Sequence, residues 1–436
     1  MDELAAAVLL PSFPGTAVPD WVRRFLAAGG GGITLFSYNG PDYASVCAAL
    51  RSERPEVLLA IDEEGGDVTR LESETGSSFP GNAALGAIDD VATTECVAEA
   101  IGVALAEAGV NMNFAPVADV TVPGNPVIGV RSFGSDVQLV SRHTAAYVRG
   151  LQRAGVAACT KHFPGHGSTE QDSHLELPTI VGDVADGLEP FRAAVTAGTK
   201  SVMTAHIRVP AYGDEPATIN PRLLALLRDS FDGVIVSDAL EMEGLSGSIG
   251  VERAAVLALE AGCDALCVGH DLQDEDVAAI ASAIAAGVSR ERLEEAASRV
   301  ATLAEWATSG ARHVPDTCQT RDVARRALTF VGDVRVPDDA RIVELTPVAN
   351  IAAGEHLHAL DGATFVREGE TVPDADVYIV RDAHRYAWMR DAADRPDAVV
   401  VEVGLPEWHP SRARGYIATR GRSRASLDAA REVLGL

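Results

Sequence analysis

The chain has 436 residues, 47% of them hydrophobic and 23% charged, which is typical of a globular protein but too long for one compact core, so two domains are expected. With 36 basic and 63 acidic residues the net charge is −27, which argues against nucleic acid and anionic membranes as partners. The sequence has no run of roughly 18 apolar residues that would predict a membrane span, and its acidic N-terminus is unlike a secretory signal, so a cytoplasmic protein is predicted.

Short apolar runs alternate with stretches of helical periodicity up to about residue 310. Eight such runs are present, at 6–13, 31–36, 57–62, 110–117, 156–163, 201–207, 232–239 and 264–269. Helix-like stretches between them, such as 91–109 and 250–262, end in Gly, as helix C-termini prefer. Eight β-then-α units of this size indicate a (β/α)₈ barrel, with an open doubly wound sheet as the alternative.

Polar residues lie at the C-terminal ends of four of these runs, and this position favours the barrel. They are Asp62, Lys161 with His162, His206, and Asp238. In a barrel the carboxyl ends of all strands meet on one face, where the active site lies. The sequence therefore predicts an α/β protein with a (β/α)₈ TIM-barrel catalytic domain over residues 1–312.

A second pattern begins after a polar linker at 311–319. The runs 341–346, 376–382 and 398–406 predict parallel strands, and 423–435 predicts a final amphipathic helix. Residues 320–436 are therefore expected to form a smaller α/β sandwich domain.

The six cysteines contain no CxxC pair, and most lie in apolar surroundings. Buried cysteines in a cytoplasmic protein are usually reduced. All six are therefore predicted to be free thiols.

Three strand ends or loops carry candidate binding residues. Asp62 precedes Gly65 and Gly66, which allow a sharp turn at the barrel mouth, although an N-cap or turn role is the alternative. Arg70 could contact a polar ligand or pair with a nearby glutamate. Arg131, in the long loop after the fourth run, fits ligand binding, and a structural clamp on that loop is equally consistent.

The segment KHFPGHGSTEQDSH (161–174) is the densest in chemically active residues. His162 and His166 have the i, i+4 spacing of a zinc pair on a helix, but the Pro and Gly residues between them disfavour a helix. A phosphate-binding loop of the GxxxxGK[ST] type is absent. Neither a metal site nor a phosphate loop is therefore the favoured interpretation, and the loop is expected to be free to move.

The end of that segment suggests proton transfer. Asp172 and His174 are two residues apart, so the carboxylate could accept the imidazole N–H and raise the basicity of the ring. A solvated polar loop is the alternative. Asp238, at the tip of the seventh strand, is either a hydrogen-bonded strut or a nucleophile.

Taken together, a carboxylate nucleophile and a proton-shuttling histidine fit double displacement at a sugar anomeric carbon. The remaining polar residues would hold the substrate: Asp62, Arg70, Arg131, Lys161 and His162.

Four segments resemble glycoside hydrolase family 3, and within it the β-N-acetylglucosaminidases of the NagZ type: IDEEGG…RL, NPVIGVRSFG, KHFPGHG…DSH and VIVSDALEMEG. The resemblance implies that Asp238 is the nucleophile, His174 the acid/base and Asp172 its orienting partner. It also implies that Asp62, Arg70, Arg131, Lys161 and His162 bind the terminal sugar. Members of this family use no metal or organic cofactor.

The activity implied by the resemblance is that of a retaining exo-β-N-acetylglucosaminidase. Its substrate would be terminal β-linked GlcNAc on cell-wall muropeptides, as in peptidoglycan recycling, or on chitin-derived oligosaccharides. A β-N-acetylglucosaminide phosphorylase of the same family is the alternative. A metal-dependent barrel hydrolase and a non-catalytic sugar sensor are the interpretations from other classes.

Two positions depart from the family pattern. Glu63 stands where His or Gln is usual, and Asp67 stands where Arg is frequent. Both add negative charge next to Asp62, so the outer binding subsite is expected to differ. Because the DSH motif is present, the C-terminal domain is not expected to supply the catalytic acid.

Overall fold

The computed structural model describes residues 1–122, 124–169, 177–180, 184–247, 249–269, 273–309, 318–347, 360 and 362–436. Within them, one sheet has eight strands and a second has six. Residues 310–317 lie outside the described ranges, so the predicted division between domains at 312–320 stays a prediction.

The first sheet is an almost fully closed parallel barrel. Its strands are β1 (Leu9–Leu10), β2 (Gly32–Leu35), β3 (Leu58–Ile61), β4 (Met112–Asn113), β5 (Ala157–Phe163), β6 (Ser201–Thr204), β7 (Val234–Ser237) and β8 (Ala265–Cys267). The order is β1-β8-β7-β6-β5-β4-β3-β2, and every pair is parallel. The amide of Thr34 donates to Pro11 O at 2.9 Å, which joins the two ends. The predicted (β/α)₈ barrel is therefore confirmed over the open sheet.

Helices surround this barrel. They are α1 (Glu3–Ala7), α2 (Asp20–Ala27), α3 (Tyr43–Glu53), α4 (Asn82–Ile88), α5 (Val91–Glu107), α6 (Val137–Arg153), α7 (Ala185–Thr196), α8 (Pro221–Arg228), α9 (Glu243–Ser246), α10 (Val251–Ala261), α11 (Asp274–Gly287) and α12 (Arg290–Ser309). In the part of the chain that the structure describes, no helix combines the length and apolar character needed to cross a bilayer.

Two strands, β1 and β4, have only two residues each and are much shorter than their apolar runs. The run 6–13 begins as α1, because Asp2 caps the helix by accepting the amides of Leu4 and Ala5, each at 3.1 Å. In the run 110–117 only β4 is a strand, since Pro116 has no N–H to donate to a ladder.

The barrel interior follows the two-residue period of a strand. In β3, Leu58 and Ala60 point inward to the interior cluster, whereas Leu59 and Ile61 pack outward against the helices. Residues of α12 pack into the same interior cluster. The barrel is thus a filled core, and space for a ligand is left at its ends.

The second sheet is mixed. Its strands are β9 (Thr329–Gly332), β10 (Ile342–Thr346), β11 (Thr364–Arg367), β12 (Val377–Val380), β13 (Val399–Glu402) and β14 (Gly415–Ala418), in the order β11-β10-β12-β13-β14-β9. Only the β14–β9 pair is antiparallel. The helices are α13 (Thr320–Ala327), α14 (Ala387–Ala393) and α15 (Arg424–Leu434).

Both faces of this sheet are covered. Alternate residues such as Val399 and Val401 pack with α15, and Val400 packs with α14 on the other side. This arrangement confirms a smaller α/β sandwich. The three predicted strands and the final helix are present, whereas β9, β11, β14 and the other two helices were not predicted.

The cysteine prediction was wrong for two residues. Cys96, in α5, and Cys318, just before α13, form a disulfide across 222 positions of sequence. The other four cysteines are free and buried. The pairing joins residues far apart in the chain, and for that reason spacing alone did not indicate it.

Charged contacts join the second sheet to the loop that follows β3. Asp67, on that loop, accepts the amide of Arg422 at 2.6 Å and pairs with the Arg381 guanidinium at 2.6 Å. Both partners of the Asp67–Arg381 pair are largely buried, with 3% and 14% of their side chains exposed. Nearby, the guanidinium of Arg424 pairs with Glu72 at 2.5 Å in a more exposed position.

The two pairs should differ in their effect on stability. Arg381→Gln leaves the buried Asp67 carboxylate without its charged partner, which costs about 3 kcal/mol and should lower Tm by roughly 5 °C or more. The matched control, Arg424→Gln, removes an exposed pair worth under about 1 kcal/mol. Calorimetric melting of both variants tests this, and equal Tm losses would contradict it.

Candidate active site

A cavity of about 610 Å³ opens at the carboxyl ends of the barrel strands. Six of the eight predicted site residues line it: Asp62, Arg70, Arg131, Lys161, His162 and Asp238. The other two, Asp172 and His174, lie outside the described residues. Polar residues predicted from strand ends and loops, although distant in sequence, thus share one cavity.

The strand period explains why three of these side chains face the cavity. Asp62 is two residues beyond the inward-facing Ala60 of β3, and Asp238 is two beyond the inward-facing Val236 of β7. Lys161 stands in the same relation to Cys159 of β5. Each therefore lies one layer above the apolar interior.

A network of buried charges forms the floor of the cavity. The Lys161 ammonium lies 2.5 Å from Asp62 Oδ1 and 2.7 Å from Glu64 Oε1. Glu64 also accepts two hydrogen bonds from the Arg131 guanidinium, at 2.9 Å from Nε and 2.7 Å from Nη2. Glu64 was not predicted as a site residue, although its position in IDEEGG beside the strand end was the available signal.

The charges in this network fix each other's protonation. Burial alone would raise the pKa of the Glu64 carboxyl, but the positive charges of Arg131 and Lys161 outweigh it and hold the pKa well below its usual range. Burial would lower the pKa of Lys161, but Asp62 and Glu64 together raise it. The lysine therefore stays cationic. Arg131 pairs with Glu64 and also lines the cavity, and its role in ligand binding stays a prediction.

His162 is oriented by a carboxylate that the sequence did not reveal. Its Nδ1 lies 2.7 Å from Asp119 Oδ2, and Asp119 is fully buried. A carboxylate only accepts, so Nδ1 carries the proton and Nε2 is the other ring nitrogen, left as acceptor in the neutral tautomer. Adjacent residues of a regular strand face opposite sides, yet both Lys161 and His162 line the cavity. This is possible because the β5–β6 register shifts between Thr160 and Phe163.

The described first part of the histidine-rich loop is tightly packed. His166 is buried, with Nδ1 2.7 Å from Thr169 Oγ1, and burial lowers its pKa to about 4. A Cβ on Gly167 would stand 2.1 Å from Val120 O, so this glycine permits close backbone contact. Residues 164–169 are therefore closely packed, residues 170–176 lie outside the described ranges, and the expected mobility of the loop stays a prediction.

Asp238 is partly buried at the end of β7. Its Oδ1 accepts the amide of Ala239 at 2.8 Å. His206, the remaining polar strand-end residue, contacts the backbone next to Asp238: Nε2 is 2.9 Å from Ala239 O, and Nδ1 is 2.7 Å from Thr218 Oγ1. His206 is thus a buried structural residue and does not line the cavity.

The two departures from the family pattern do not face the cavity. Glu63 turns into the protein, where one carboxyl oxygen accepts from Thr69 Oγ1 and from the amides of Arg70 and Leu71 at 2.9–3.0 Å. Asp67 faces the second sheet, where it contacts Arg381 and Arg422. Neither carboxylate lines the cavity, and the expected difference of the outer subsite stays a prediction.

No group of three or more His, Cys, Asp or Glu side chains in the described ranges has a metal-binding arrangement. The rings of His162 and His166 meet edge to face, with centroids 6.2 Å apart. The i, i+4 spacing of these two histidines therefore corresponds to packing in this structure.

A parallel barrel whose strand ends carry acidic residues around a buried lysine and an oriented histidine is the arrangement of a (β/α)₈-barrel enzyme. Residues 31–303 match the N-terminal domain of glycosyl hydrolase family 3. The chain belongs to this family and is a glycoside hydrolase.

Similar proteins agree with this assignment. A β-hexosaminidase of Neisseria meningitidis serogroup C is 37% identical over 273 residues, which cover 58% of this chain and 75% of the relative. A β-hexosaminidase of Stenotrophomonas maltophilia is 36% identical over 279 residues, covering 60% and 82%. A family 3 β-N-acetylglucosaminidase from Paenibacillus sp. str. FPU-7 superposes with a TM-score of 0.87 at 28% identity, covering 100% of this chain and 96% of that one.

Glu63 generates a prediction about stability and pH. Burial raises its pKa from 4.5 to about 7, so between these values the folded chain binds a proton that the unfolded chain has lost. The contribution of this group to the free energy of unfolding is therefore fully present below pH 4.5. That contribution, on the order of 3 kcal/mol, is lost as the pH rises through 7.

Glu63→Gln, which restores a residue usual in the family, should remove that loss. The Tm of the variant minus that of the wild type, measured by calorimetry, should increase as the pH is raised from 5 to 8. Glu56→Gln, at an exposed position, makes the same change of formal charge and serves as control. A Tm difference for Glu63→Gln that does not change with pH would refute the assignment.

Proposed function

We propose that the chain is a retaining exo-β-N-acetylglucosaminidase that releases terminal β-linked GlcNAc from an oligosaccharide. The observation that carries the proposal is the position of Asp238, whose carboxylate lines the same cavity as the Asp62–Lys161 pair and His162. Similarity to named β-hexosaminidases and to a β-N-acetylglucosaminidase supports this choice of sugar.

The chemistry would follow double displacement. Asp238 attacks C1 of the sugar while His174, oriented by Asp172, gives its proton to the departing glycosidic oxygen. A covalent glycosyl-enzyme forms at Asp238. His174 then takes a proton from water, whose oxygen attacks C1 and releases GlcNAc with its original anomeric configuration.

The cavity supplies groups that suit the terminal sugar. Asp62 can accept sugar hydroxyls, and Lys161 and Arg70 can donate to them. Nε2 of His162, whose Nδ1 is committed to Asp119, is available to the same ring. Arg131 would act mainly by holding Glu64, and through it Lys161.

The role of Asp238 can be tested by removing its carboxylate. Asp238→Ala should lower the release of GlcNAc from an aryl β-N-acetylglucosaminide by at least about 10³-fold, because no covalent intermediate can form. Added azide should restore turnover by attacking C1 in place of the missing carboxylate, giving a glycosyl azide of inverted configuration.

The matched control is Asp232→Ala, which removes an exposed carboxylate just before the start of β7. It should retain the wild-type rate. If Asp238→Ala also retains that rate, the mechanism is wrong.

A phosphorylase of the same family is the rival, and it requires phosphate to approach the glycosyl-enzyme. Among the described lining residues, five carboxylates outnumber three cations. This excess of negative charge repels phosphate. Wild-type enzyme incubated with inorganic phosphate should therefore yield GlcNAc and no GlcNAc-1-phosphate, as measured by chromatography of the products. Formation of the sugar phosphate would favour the rival.

The cytoplasmic location remains part of the proposal. It rests on the sequence prediction alone. The Cys96–Cys318 disulfide points the other way, because such bonds are rare in a reducing cytosol.

A further inference from the structure

We propose that the cavity selects a neutral sugar as the leaving group, such as the second N-acetylglucosamine of a chitin-type oligosaccharide, over an aglycone that carries a carboxylate. This inference rests on the proposed function and specifies its substrate class. It is carried by the residues on the wall of the cavity outside the Asp62–Lys161 floor.

One part of that wall is aromatic. Phe36 and Tyr38 belong to the segment that follows β2, and their rings stack with centroids 5.4 Å apart at an interplanar angle of 26°. Both line the cavity, and Tyr38 is 37% exposed, which places it at the opening. An exposed aromatic face at the opening of a sugar pocket offers a flat apolar surface to the C–H face of a second sugar ring.

A second part of the wall is acidic. Glu241 and Glu243 follow Asp238 on the segment that leaves β7, and both line the cavity. On the floor, Lys161 and Arg131 are already committed to Asp62 and Glu64. Among the described residues that line the rest of the cavity, the acidic ones are Asp238, Glu241 and Glu243, and Arg70 carries the positive charge.

Hydrogen bonds connect the two parts of the wall. Glu241 Oε2 accepts the amide of Gly269 at 2.9 Å, and Gly269 O accepts from Ser12 Oγ at 2.7 Å. Tyr38 Oη donates to the same Ser12 Oγ at 3.2 Å. A Cβ on Gly269 would stand 1.5 Å from Glu241 Oε1, so the contact requires glycine. The acidic and aromatic sides are thus built as one preformed surface.

This surface has opposite effects on the two kinds of aglycone. A neutral sugar ring gains stacking on the aromatic side and brings no charge close to the carboxylates. An aglycone carboxylate, such as the lactyl group of a muramic acid, meets like charges in a partly enclosed cavity. We expect this repulsion to lower kcat/KM for the acidic aglycone about fivefold or more at low ionic strength.

The test compares three substrates that share the same terminal GlcNAc. Chitobiose is neutral, GlcNAc–anhydroMurNAc carries one carboxylate, and the methyl ester of the latter has the same shape without the charge. Wild-type kcat/KM should be higher for chitobiose and for the ester than for the acid. The gap between acid and ester should narrow in high salt, which screens the repulsion.

Two variants distinguish the effect of charge on kcat/KM from the effect of aromatic stacking. Glu243→Gln should raise kcat/KM for the acid about twofold to fivefold and raise it less for the ester, because only the acid is repelled. Tyr38→Ala should lower kcat/KM for chitobiose about fivefold through lost stacking. Glu252→Gln, an exposed change of equal charge in α10 away from the cavity, should alter none of these ratios.

The outcomes distinguish the two proposals. If an aryl β-N-acetylglucosaminide is not cleaved, the proposed function itself fails. If it is cleaved but the acid is turned over as well as the ester, or better than chitobiose, only the aglycone inference is overturned.

Discussion

The carboxylate of Glu64 is the constraint on which the active site depends. A buried carboxylate is stable only when opposite charges and hydrogen bonds replace the water it has lost. Arg131 supplies these from the loop after β4 and Lys161 from strand β5, and Lys161 in turn contacts Asp62. One buried anion therefore fixes the relative positions of three strand ends, because displacing any of the cations would leave the carboxylate uncompensated.

The second sheet contributes through the same loop. Asp67, three residues after Glu64, is held by the amide of Arg422 and the guanidinium of Arg381. The guanidinium of Arg422 is itself bound by the buried Glu344. The loop that carries Asp62 and Glu64 is thus anchored on one side by the barrel and on the other by the smaller domain. This geometry gives the smaller domain a structural connection to the site without requiring it to supply a catalytic group.

Sequence reasoning recovered the features that depend on local periodicity. Side chains two residues apart on a strand face the same side, so Asp62, Lys161 and Asp238 follow directly on side chains of the barrel interior. Polar residues at strand ends therefore indicated both the barrel and its cavity. Features set by contacts between distant segments were missed, such as Asp119 behind His162, Glu64 between two cations and the Cys96–Cys318 disulfide. Nothing in the local sequence records which distant partner a buried carboxylate or thiol meets.

The choice of lysine at position 161 follows from the geometry of its donors. The chain contains only two lysines, so its basic positions are otherwise almost all arginine. An ammonium has three N–H donors on one compact nitrogen, whereas a guanidinium spreads its donors over a rigid planar fork. Asp62 and Glu64 engage two donors of Lys161, at 2.5 and 2.7 Å. In the proposed mechanism the third donor can meet a sugar hydroxyl without disturbing either carboxylate. An arginine would have to turn its whole plane, and with it the Glu64 contact, to do the same.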